Sequence, residues 1–393
     1  MKITKQRIPL LLVFLLLTLT GCWDNQELND QALLLSIGLD KVDDKYVLSN
    51  QFARNPKESQ GEKSPQTGFY TEIAEGKNLM ESSNIMQSKV TRLINRGQRR
   101  SMVIGENLAR QGFRESLDFV IRNPESPLRL NLFIVKNGMA SDMLKSSTPF
   151  GAQSMREYFK LLQTNFGAVD VGFMFLVRTM NEGMDFGDFV PVLEKVKSIN
   201  DQDQDFYRFN GAAVLNNQTK LVGYLDLNET DDASWIVNWP HHHLNTIPSP
   251  NDKGTITMDF QRMKRKWSFH FGQELGVKLN LQADAILVEN TSNMDLLNES
   301  TIAVFKHEME KKLEQQILSL IRKFQKEFKT DAIGVGESIY RNHPNQWKLL
   351  KKEWDRTFSE VDMDVKVSLK FIRFGLTGAS GSLNKEEIER GQR

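Results

Sequence analysis

The sequence is poor in cysteine, since Cys22 is the single cysteine in 393 residues. One thiol excludes an intrachain disulfide and a cysteine-based metal site. Long apolar runs are also scarce. After the N-terminal segment, the apolar run at residues 173–177 is flanked by Gly172 and Arg178, whereas a membrane-spanning helix needs about 20 apolar residues. The sequence therefore predicts no spanning helix after its first 21 residues.

An excess of either charge is absent as well. The chain has 51 basic and 50 acidic residues, and 48 basic residues remain when Lys2, Lys5 and Arg7 leave with a signal peptide. Nucleic-acid-binding proteins usually carry a basic excess. The balanced charge therefore argues against a nucleic-acid partner.

Recognisable catalytic motifs are missing too. No histidine pair has the spacing of a zinc protease, and no glycine-rich phosphate-binding loop occurs. Residues 378–382 lack the final glycine of a nucleophile elbow, because Ser382 stands there. Paired carboxylates stay open, since spatial neighbours are invisible in a sequence. We expect a protein that is not an enzyme and binds no cofactor.

Two polar clusters invite a metal hypothesis and satisfy it poorly. Asp201, Asp203 and Asp205 alternate as in a calcium loop, but the glycine turn and the bidentate glutamate are absent. Residues 241–243 are adjacent histidines, whose side chains project in different directions, and no carboxylate or cysteine at ligand spacing accompanies them. We expect a solvated acidic turn, a surface loop and no bound metal.

What is present begins with residues 1–21, which have the pattern of a lipoprotein signal peptide. Basic residues precede an apolar run at 10–17, and Thr20 and Gly21 stand before Cys22. Even extended by two residues, the run reaches about 15 Å as a helix, against the ~30 Å of a bilayer core. A cleaved signal fits this length. We predict cleavage between Gly21 and Cys22, and S-diacylglycerol and N-acyl groups on Cys22; a plain secretory signal with a chance cysteine is the alternative.

Strands and helices are expected to alternate in the first part of the mature chain. Alternation of this kind builds a layered sheet with helices packed against it. Residues 183–191, rich in glycine and aromatic residues, are expected to cross irregularly into a following domain. The expected elements are strands at 33–39, 46–52, 101–104 and 130–135, and helices at 79–94, 108–121, 141–144 and 153–162.

The middle of the chain predicts a β-hairpin followed by a helix. Residues 207–215 and 220–225 are apolar runs separated by a polar turn. Thr230, followed by two aspartates, is expected to cap a helix that carries Trp235 and Trp239.

Near the C-terminus two long segments alternate strictly between apolar and polar residues. Residues 275–287 and 361–371 therefore predict strands with one buried and one solvated face, paired antiparallel. Between them, residues 305–328 place apolar side chains every three or four positions, which predicts an amphipathic helix that covers the sheet. Gly334 and Gly336 are expected to permit a turn that stops this helix. A docking face for a partner helix is the alternative for the apolar stripe.

The chain length and these elements together predict an α+β protein of two or three domains with mixed or antiparallel sheets and packed helices. The expected division is a signal peptide at 1–21, an N-terminal domain at 22–197, a middle domain at 198–290, a C-terminal domain at 291–378 and a polar tail at 379–393.

Matches to one family run across almost the whole mature chain. The sequence resembles the lipoprotein C subunits of spore germinant receptors, the Ger(x)C proteins. Each motif is short, and it is their order and spacing that make the resemblance specific. The residues that carry it are Gly21–Asp24, Glu27–Leu28, Ile37–Lys41, Gly211–Val214, Lys220–Gly223, Glu229–Thr230, Asp331, Gly334, Gly336, Trp347, Trp354, Phe358, Arg373 and Gly375.

The resemblance implies a location and partners. It implies a three-domain α+β body on the outer surface of the spore inner membrane, held to the lipid bilayer through acylated Cys22. It also implies two integral-membrane partners, the A and B subunits, which form with this chain a receptor that triggers germination in response to a nutrient. The alternative is a solute-binding lipoprotein that presents a nutrient to a transporter, although such proteins usually have two similar lobes with parallel sheets.

Overall fold

A computed structural model describes residues 30–54, 68–146, 155, 158, 173, 176–178, 186–196, 206–239, 243–249 and 254–373. Several sequence-based expectations lie outside these residues. They are the signal peptide, Gly21 and Cys22, the helix at 153–162 apart from residues 155 and 158, the aspartates at 201, 203 and 205, the first two residues of the histidine run and the polar tail.

The first hairpin forms as its sequence predicts. Strand β1 (Gln31–Val42) pairs antiparallel with β2 (Lys45–Ala53). Asp43 and Asp44 join them with φ angles of 46° and 62°. Positive φ at both central residues is the requirement of a type I′ hairpin turn, and aspartate tolerates it better than most residues.

A mixed sheet grows outward from this hairpin. Its strand order is β3-β2-β1-β5-β6-β7-β8-β9, with β4 beside β1. The pairs β1–β5, β5–β6 and β6–β7 are parallel, whereas the outer pairs of that order are antiparallel. The remaining strands are β3 (Phe69–Gly76), β4 (Leu93–Asn95), β5 (Ser101–Gly105), β6 (Asn131–Lys136), β7 (Asp188–Val196), β8 (Phe206–Leu215) and β9 (Leu221–Leu225).

Helices cover both faces of this sheet. Along β6, Leu132 and Ile134 enter one apolar core, while Phe133 and Val135 enter another on the opposite face. A strand buried on both faces reads as a continuous apolar run, which is why β5 and β6 could be recognised in the sequence. The helices of this part whose bounds the structure describes are α1 (Leu79–Lys89), α2 (Glu106–Gln111), α3 (Arg114–Arg122) and α4 (Ala140–Lys145).

Two expected helices are shorter than the sequence predicts. Helix α1 ends at Lys89, and the residues after it form β4, which pairs with β1. The helix expected at 108–121 is two helices, because Gly112 adopts a φ of 98° between them. In both places the apolar spacing continues past a backbone break that periodicity alone does not reveal.

The expectation of an irregular crossing at residues 183–191 is wrong from Asp188 onward. Residues Asp188–Val196 form β7, which pairs with β6 on one side and β8 on the other. Pro191 cannot donate to a ladder, and the register shifts between Pro191 and Leu193. The sheet therefore continues across the expected boundary at 197/198, and the three-domain division stays a prediction.

The middle helix begins one turn earlier than predicted. Helix α5 (Leu227–Val237) is capped by Asp226 and not by Thr230. Asp226 Oδ1 accepts from the Glu229 backbone N–H at 2.8 Å, and Glu229 Oε2 accepts from the Asp226 N–H at 3.0 Å. This is a reciprocal capping box.

The second sheet has the order β10-β11-β12-β13. The strands predicted at 275–287 and 361–371 are β12 and β13, but their predicted antiparallel pairing is wrong, because they pair parallel. The chain between them crosses over through helices, as parallel neighbours require. The bounds are β10 (His243–Pro248), β11 (Thr255–Phe271), β12 (Leu275–Asn290) and β13 (Met363–Arg373).

The crossover carries the core of this second part. The predicted amphipathic helix is α6 (Glu299–Lys323), which continues as one π-helical turn (Phe324–Phe328). Its apolar stripe packs on the inner face of the second sheet. Three further helices follow: α7 (Val335–Asn342), α8 (Pro344–Leu350) and α9 (Trp354–Glu360). The α+β expectation is confirmed by these sheets and helices.

Candidate interaction groove

Asp331 organises the start of α7. Its carboxylate accepts from the backbone N–H groups of Gly334, Val335 and Gly336 at 3.0, 3.1 and 2.6 Å, and from Trp354 Nε1 at 3.0 Å. Burial raises the pKa of this carboxyl, and the four donated hydrogen bonds oppose that shift. The aspartate thus satisfies helix N-terminal groups that otherwise lack partners.

The two glycines beside it have different reasons to be glycine. Gly334 adopts a φ of 80°, a region that other residues seldom occupy. Gly336 has no room for a β-carbon, which would stand 2.6 Å from both Phe186 Cε1 and Trp354 Nε1. The prediction that these glycines permit a turn is confirmed for Gly334, whereas Gly336 permits close packing.

Trp347 and Trp354 are core residues. Both are buried, and their ring centroids lie 5.3 Å apart in an edge-to-face arrangement. Phe186, which precedes β7, packs on Trp347 with a centroid separation of 5.1 Å. The two tryptophans lie on α8 and α9, which a 3₁₀ turn joins.

A bulge in β11, the strand that faces α7, decides which side chains of this strand point toward the helix. Gln261 pairs with Asp284, and Lys264 pairs with Gln282. Between these two pairs β11 advances by three residues, whereas β12 advances by two. Arg262 adopts a φ of 48° within this bulge. Because one extra residue flips every later side chain to the other face, the even positions Met258 and Phe260 point inward before the bulge, and the odd positions point inward after it.

The flip turns Arg265 and Trp267 toward α7. Together they line a groove of about 550 Å³, whose other wall is α7 with Glu337 and Arg341. His343 closes one end and packs edge-on against Phe269, with centroids 5.8 Å apart. We call this feature the β11–α7 groove.

The polar groups of the groove are unequally satisfied. Glu337 is paired with Arg178 and, at 2.6 Å, with Arg341. Among the described residues, Arg265 has no ion-pair partner within 4 Å, and the buried Trp267 Nε1 has no hydrogen-bond acceptor. Burial lowers the pKa of Arg265, although the negative charges of Glu337 and Asp331 oppose this effect.

Asp40 plays the same part in the first sheet that Asp331 plays in the second. Its buried carboxylate accepts from the backbone N–H groups of Ala140 and Ser141, at 2.8 and 2.9 Å, at the start of α4. Gly105 lies so close that a β-carbon there would overlap Asp40 Oδ1. The motif around Asp40 is therefore structural.

The histidine run does not lie wholly in a surface loop. His243, its last residue, begins β10 and is buried, with Nε2 3.8 Å from Asp232 Oδ1. Within the described parts of the chain, no group of three or more histidine, cysteine, aspartate or glutamate side chains is arranged to hold a metal ion. No described helix is both long and apolar enough to span a membrane.

The predicted site residues and the groove are separate. Gly21 and Cys22 lie outside the described residues, so cleavage and acylation stay predictions. The groove could not be predicted because the inward-facing residues of β11 change from even to odd positions at the bulge. Residues 255–271 therefore show no continuous alternation of apolar and polar residues. Its one sequence signal is Arg265, two residues before Trp267, which interrupts an otherwise apolar inward face.

Comparisons with known proteins agree with the resemblance. The family model described as "Spore germination protein N-terminal domain" matches residues 24–185, and the one described as "Spore germination B3/ GerAC like, C-terminal" matches residues 210–375. The chain is 24% identical to spore germination protein B3 of Bacillus subtilis over 93% of this chain and 97% of that protein. It is 24% identical to spore germination protein KC of the same organism, over 95% and 97% of the two chains.

A solved structure has the same fold. The crystal structure of the GerBC protein superimposes with a TM-score of 0.55 and 20% identity, and covers 86% of this chain and 96% of that one. The two family models together cover most of the sequence, on both sides of β7. The chain therefore belongs to the Ger(x)C family of spore germination proteins.

Proposed function

We propose that this chain is the lipid-anchored C subunit of a nutrient germinant receptor. In this role it is held by acylated Cys22 on the outer surface of the spore inner membrane and assembles there with integral-membrane A and B subunits. The complex triggers germination when a nutrient is present. Family membership is the observation that carries this proposal.

The sequence and the fold support a role in assembly and not in catalysis. Asp40 and Asp331, the buried aspartates of the family resemblance, accept hydrogen bonds from backbone N–H groups at helix starts and thereby hold these helices in place. A lipid anchor would favour assembly, because confinement at a membrane raises the effective concentration of the chain near membrane-embedded partners. Two or three acyl chains anchor far more firmly than one.

The anchor is tested with Cys22→Ala in spores. We expect the variant to incorporate no labelled palmitate, to leave the membrane fraction and to lose the nutrient response of this receptor. As a control, the same variant is joined to an unrelated single-spanning helix, which should restore the response without palmitate. Normal membrane retention and germination of the simple Cys22→Ala variant would contradict the anchor.

The partners are tested by affinity purification of the tagged chain from spore membranes. Two multi-pass membrane proteins should co-purify in constant ratio. Recovery of the chain alone, under detergent conditions that keep other membrane complexes intact, would contradict the subunit role.

The solute-binding alternative has less support. Its usual architecture is two similar lobes with parallel sheets, whereas the two described sheets differ in strand number and both mix parallel with antiparallel pairs. Micromolar binding of an amino acid or a sugar by the purified chain, with transport dependent on it, would favour this alternative.

A further inference from the structure

We propose that the β11–α7 groove binds a small molecule that carries a carboxylate, and that Arg265 receives this group. The proposal does not depend on the receptor role. Groove binding is measured on the purified chain, whereas the receptor role stands or falls with acylation and partner recovery in spores.

The first argument is the position of Arg265. It lies on the inner face of β11, with Trp267 and Phe269 as its next neighbours on that face. A guanidinium that is half-buried without an anion loses hydration and gains no ion pair in return. Without the bulge at Arg262, the same side chain would point to the outer face. The fold thus brings a cation inward and gives it no direct ion-pair partner among the described residues.

The second argument is the balance of donors and acceptors. Glu337, which supplies the carboxylate of the groove, already forms ion pairs with Arg178 and Arg341. Arg265 adds hydrogen-bond donors, and in the same wall Trp267 Nε1 is a donor that no described residue uses. A ligand that completes this set supplies acceptors. A carboxylate fits, because its two oxygens match the fork of a guanidinium.

The third argument favours a carboxylate over a phosphate. Phosphate sites commonly use the free N–H groups at a helix N-terminus. At α7 these groups are taken, since Asp331 accepts from Gly334, Val335 and Gly336. The other guanidinium of the groove, Arg341, is already paired with Glu337. Arg265, with that carboxylate nearby, therefore suits an anion of one charge better than an anion of two.

The size and walls of the groove suggest the rest of the ligand. A volume of about 550 Å³ lies within the range of small-molecule sites. Phe269 and His343 give one end an aromatic surface, on which an apolar group could rest while the carboxylate reaches Arg265.

The test uses a matched pair of probes, phenylacetate and its neutral analogue phenylacetamide, with inorganic phosphate as a third. The full chain is purified in detergent, and the indole N–H signals of its 6 tryptophans are followed by NMR during titration. Trp267→Phe identifies the signal of Trp267. We expect phenylacetate to shift this signal saturably, and phenylacetamide and phosphate to bind at least about tenfold more weakly, as loss of a charged hydrogen bond predicts.

Three variants locate the carboxylate. Arg265→Gln should weaken phenylacetate binding at least about tenfold, and Arg265→Lys should retain part of it. Lys264→Gln removes the same charge from an exposed neighbour on the other face and should change nothing. If Arg265→Gln fails to fold, the probe pair on the unaltered chain still decides. No saturable shift, equal binding of the amide or of phosphate, or full binding by a folded Arg265→Gln variant would overturn the proposal.

Discussion

Trp354 Nε1 donates a 3.0 Å hydrogen bond to Asp331 Oδ2, an oxygen that also accepts from the Gly336 backbone N–H. One buried carboxylate oxygen thereby fixes the start of α7 against α9. The indole that donates to this oxygen occupies the space next to Gly336, so a β-carbon at residue 336 would not fit.

Asp331→Asn should destabilise the protein by at least about 2 kcal/mol. An amide nitrogen in place of one oxygen sets a donor against the N–H groups that Asp331 accepts, wherever the amide points. The free energy of unfolding in urea measures the effect. Asp362→Asn, at an exposed position just before β13, is the control and should change little. Equal stability of the two variants would refute the role of Asp331 as an acceptor.

Gly336→Ala should also destabilise the chain, by about 1–3 kcal/mol, because the added methyl group forces the Trp354 and Phe186 rings apart. Gly276→Ala is the matched control, since its nearest neighbour, His270 Cβ, would lie at an ordinary contact distance of 3.5 Å. Thermal unfolding of both variants distinguishes the sites. A Gly336→Ala protein as stable as the control would mean that the packing here is looser than described.

Asp232 predicts a pH dependence of stability. Burial, followed by the charges of Asp231, Asp226 and Glu229, raises the pKa of Asp232 to about 7. In the unfolded chain an aspartate has a pKa of about 3.9. Between these values the folded state holds a proton that the unfolded state lacks. Stability therefore rises as the pH falls through this window, by up to about 1.4 kcal/mol per pH unit.

Asp232→Asn isolates this contribution. The variant should be more stable than the parent at pH 8, and the difference should shrink toward pH 5, where the parent carboxyl is protonated in the fold. Urea titrations at pH 5, 6.5 and 8 measure it, with Asp362→Asn again as the control. A difference that grows as the pH falls would have the wrong sign and would refute the assignment.

Glu310 and Glu314 protect the outer strand of the second sheet. Glu314 Oε1 accepts from the Val367 backbone N–H at 3.1 Å, and Glu310 Oε1 accepts from the Leu369 N–H at 2.8 Å. Among the described strands, β13 has a ladder partner on one side only. Side chains from α6 thus take the place of a further strand, and unpaired edges invite association.

Replacing both glutamates by alanine should expose these N–H groups and promote association between chains through β13. Size-exclusion chromatography with light scattering, over a range of protein concentrations, should reveal species larger than those of the unaltered chain. Glu308→Ala removes an exposed glutamate of the same helix and should leave the elution unchanged. An identical elution of the double variant would show that the edge is protected by other means.

How far the sequence predicts the fold depends on whether its periodicity is interrupted. β12 keeps one alternation from Leu275 to Ala285, and the apolar stripe of α6 keeps one helical period, so their apolar faces could be identified directly. The direction of pairing between β12 and β13 could not, because alternation is the same in parallel and antiparallel strands. Only the crossover of four consecutive helices decides it.

The groove was beyond prediction for a related reason. Its cation reaches the inner face through one extra residue at Arg262, and a single sequence contains no sign of which residue is extra. The turn after α6 could be predicted from Gly334 and Gly336, next to which Asp331 lies. The hydrogen-bonded partner of Asp331, Trp354, is 23 residues away and belongs to a different helix, so the shared carboxylate oxygen appears only in three dimensions.

β7 has a consequence for how this family can be divided. Its residues, Asp188–Val196, fall between the segments that the two family models match, yet one neighbour in the sheet, β6, lies in the first segment and most of the other, β8, lies in the second. Cutting the chain on either side of β7 leaves a sheet edge made of apolar, formerly paired residues. Chimaeras between relatives should therefore exchange β6, β7 and β8 as one unit, and fragments that end at the matched segments should be poorly soluble when made alone.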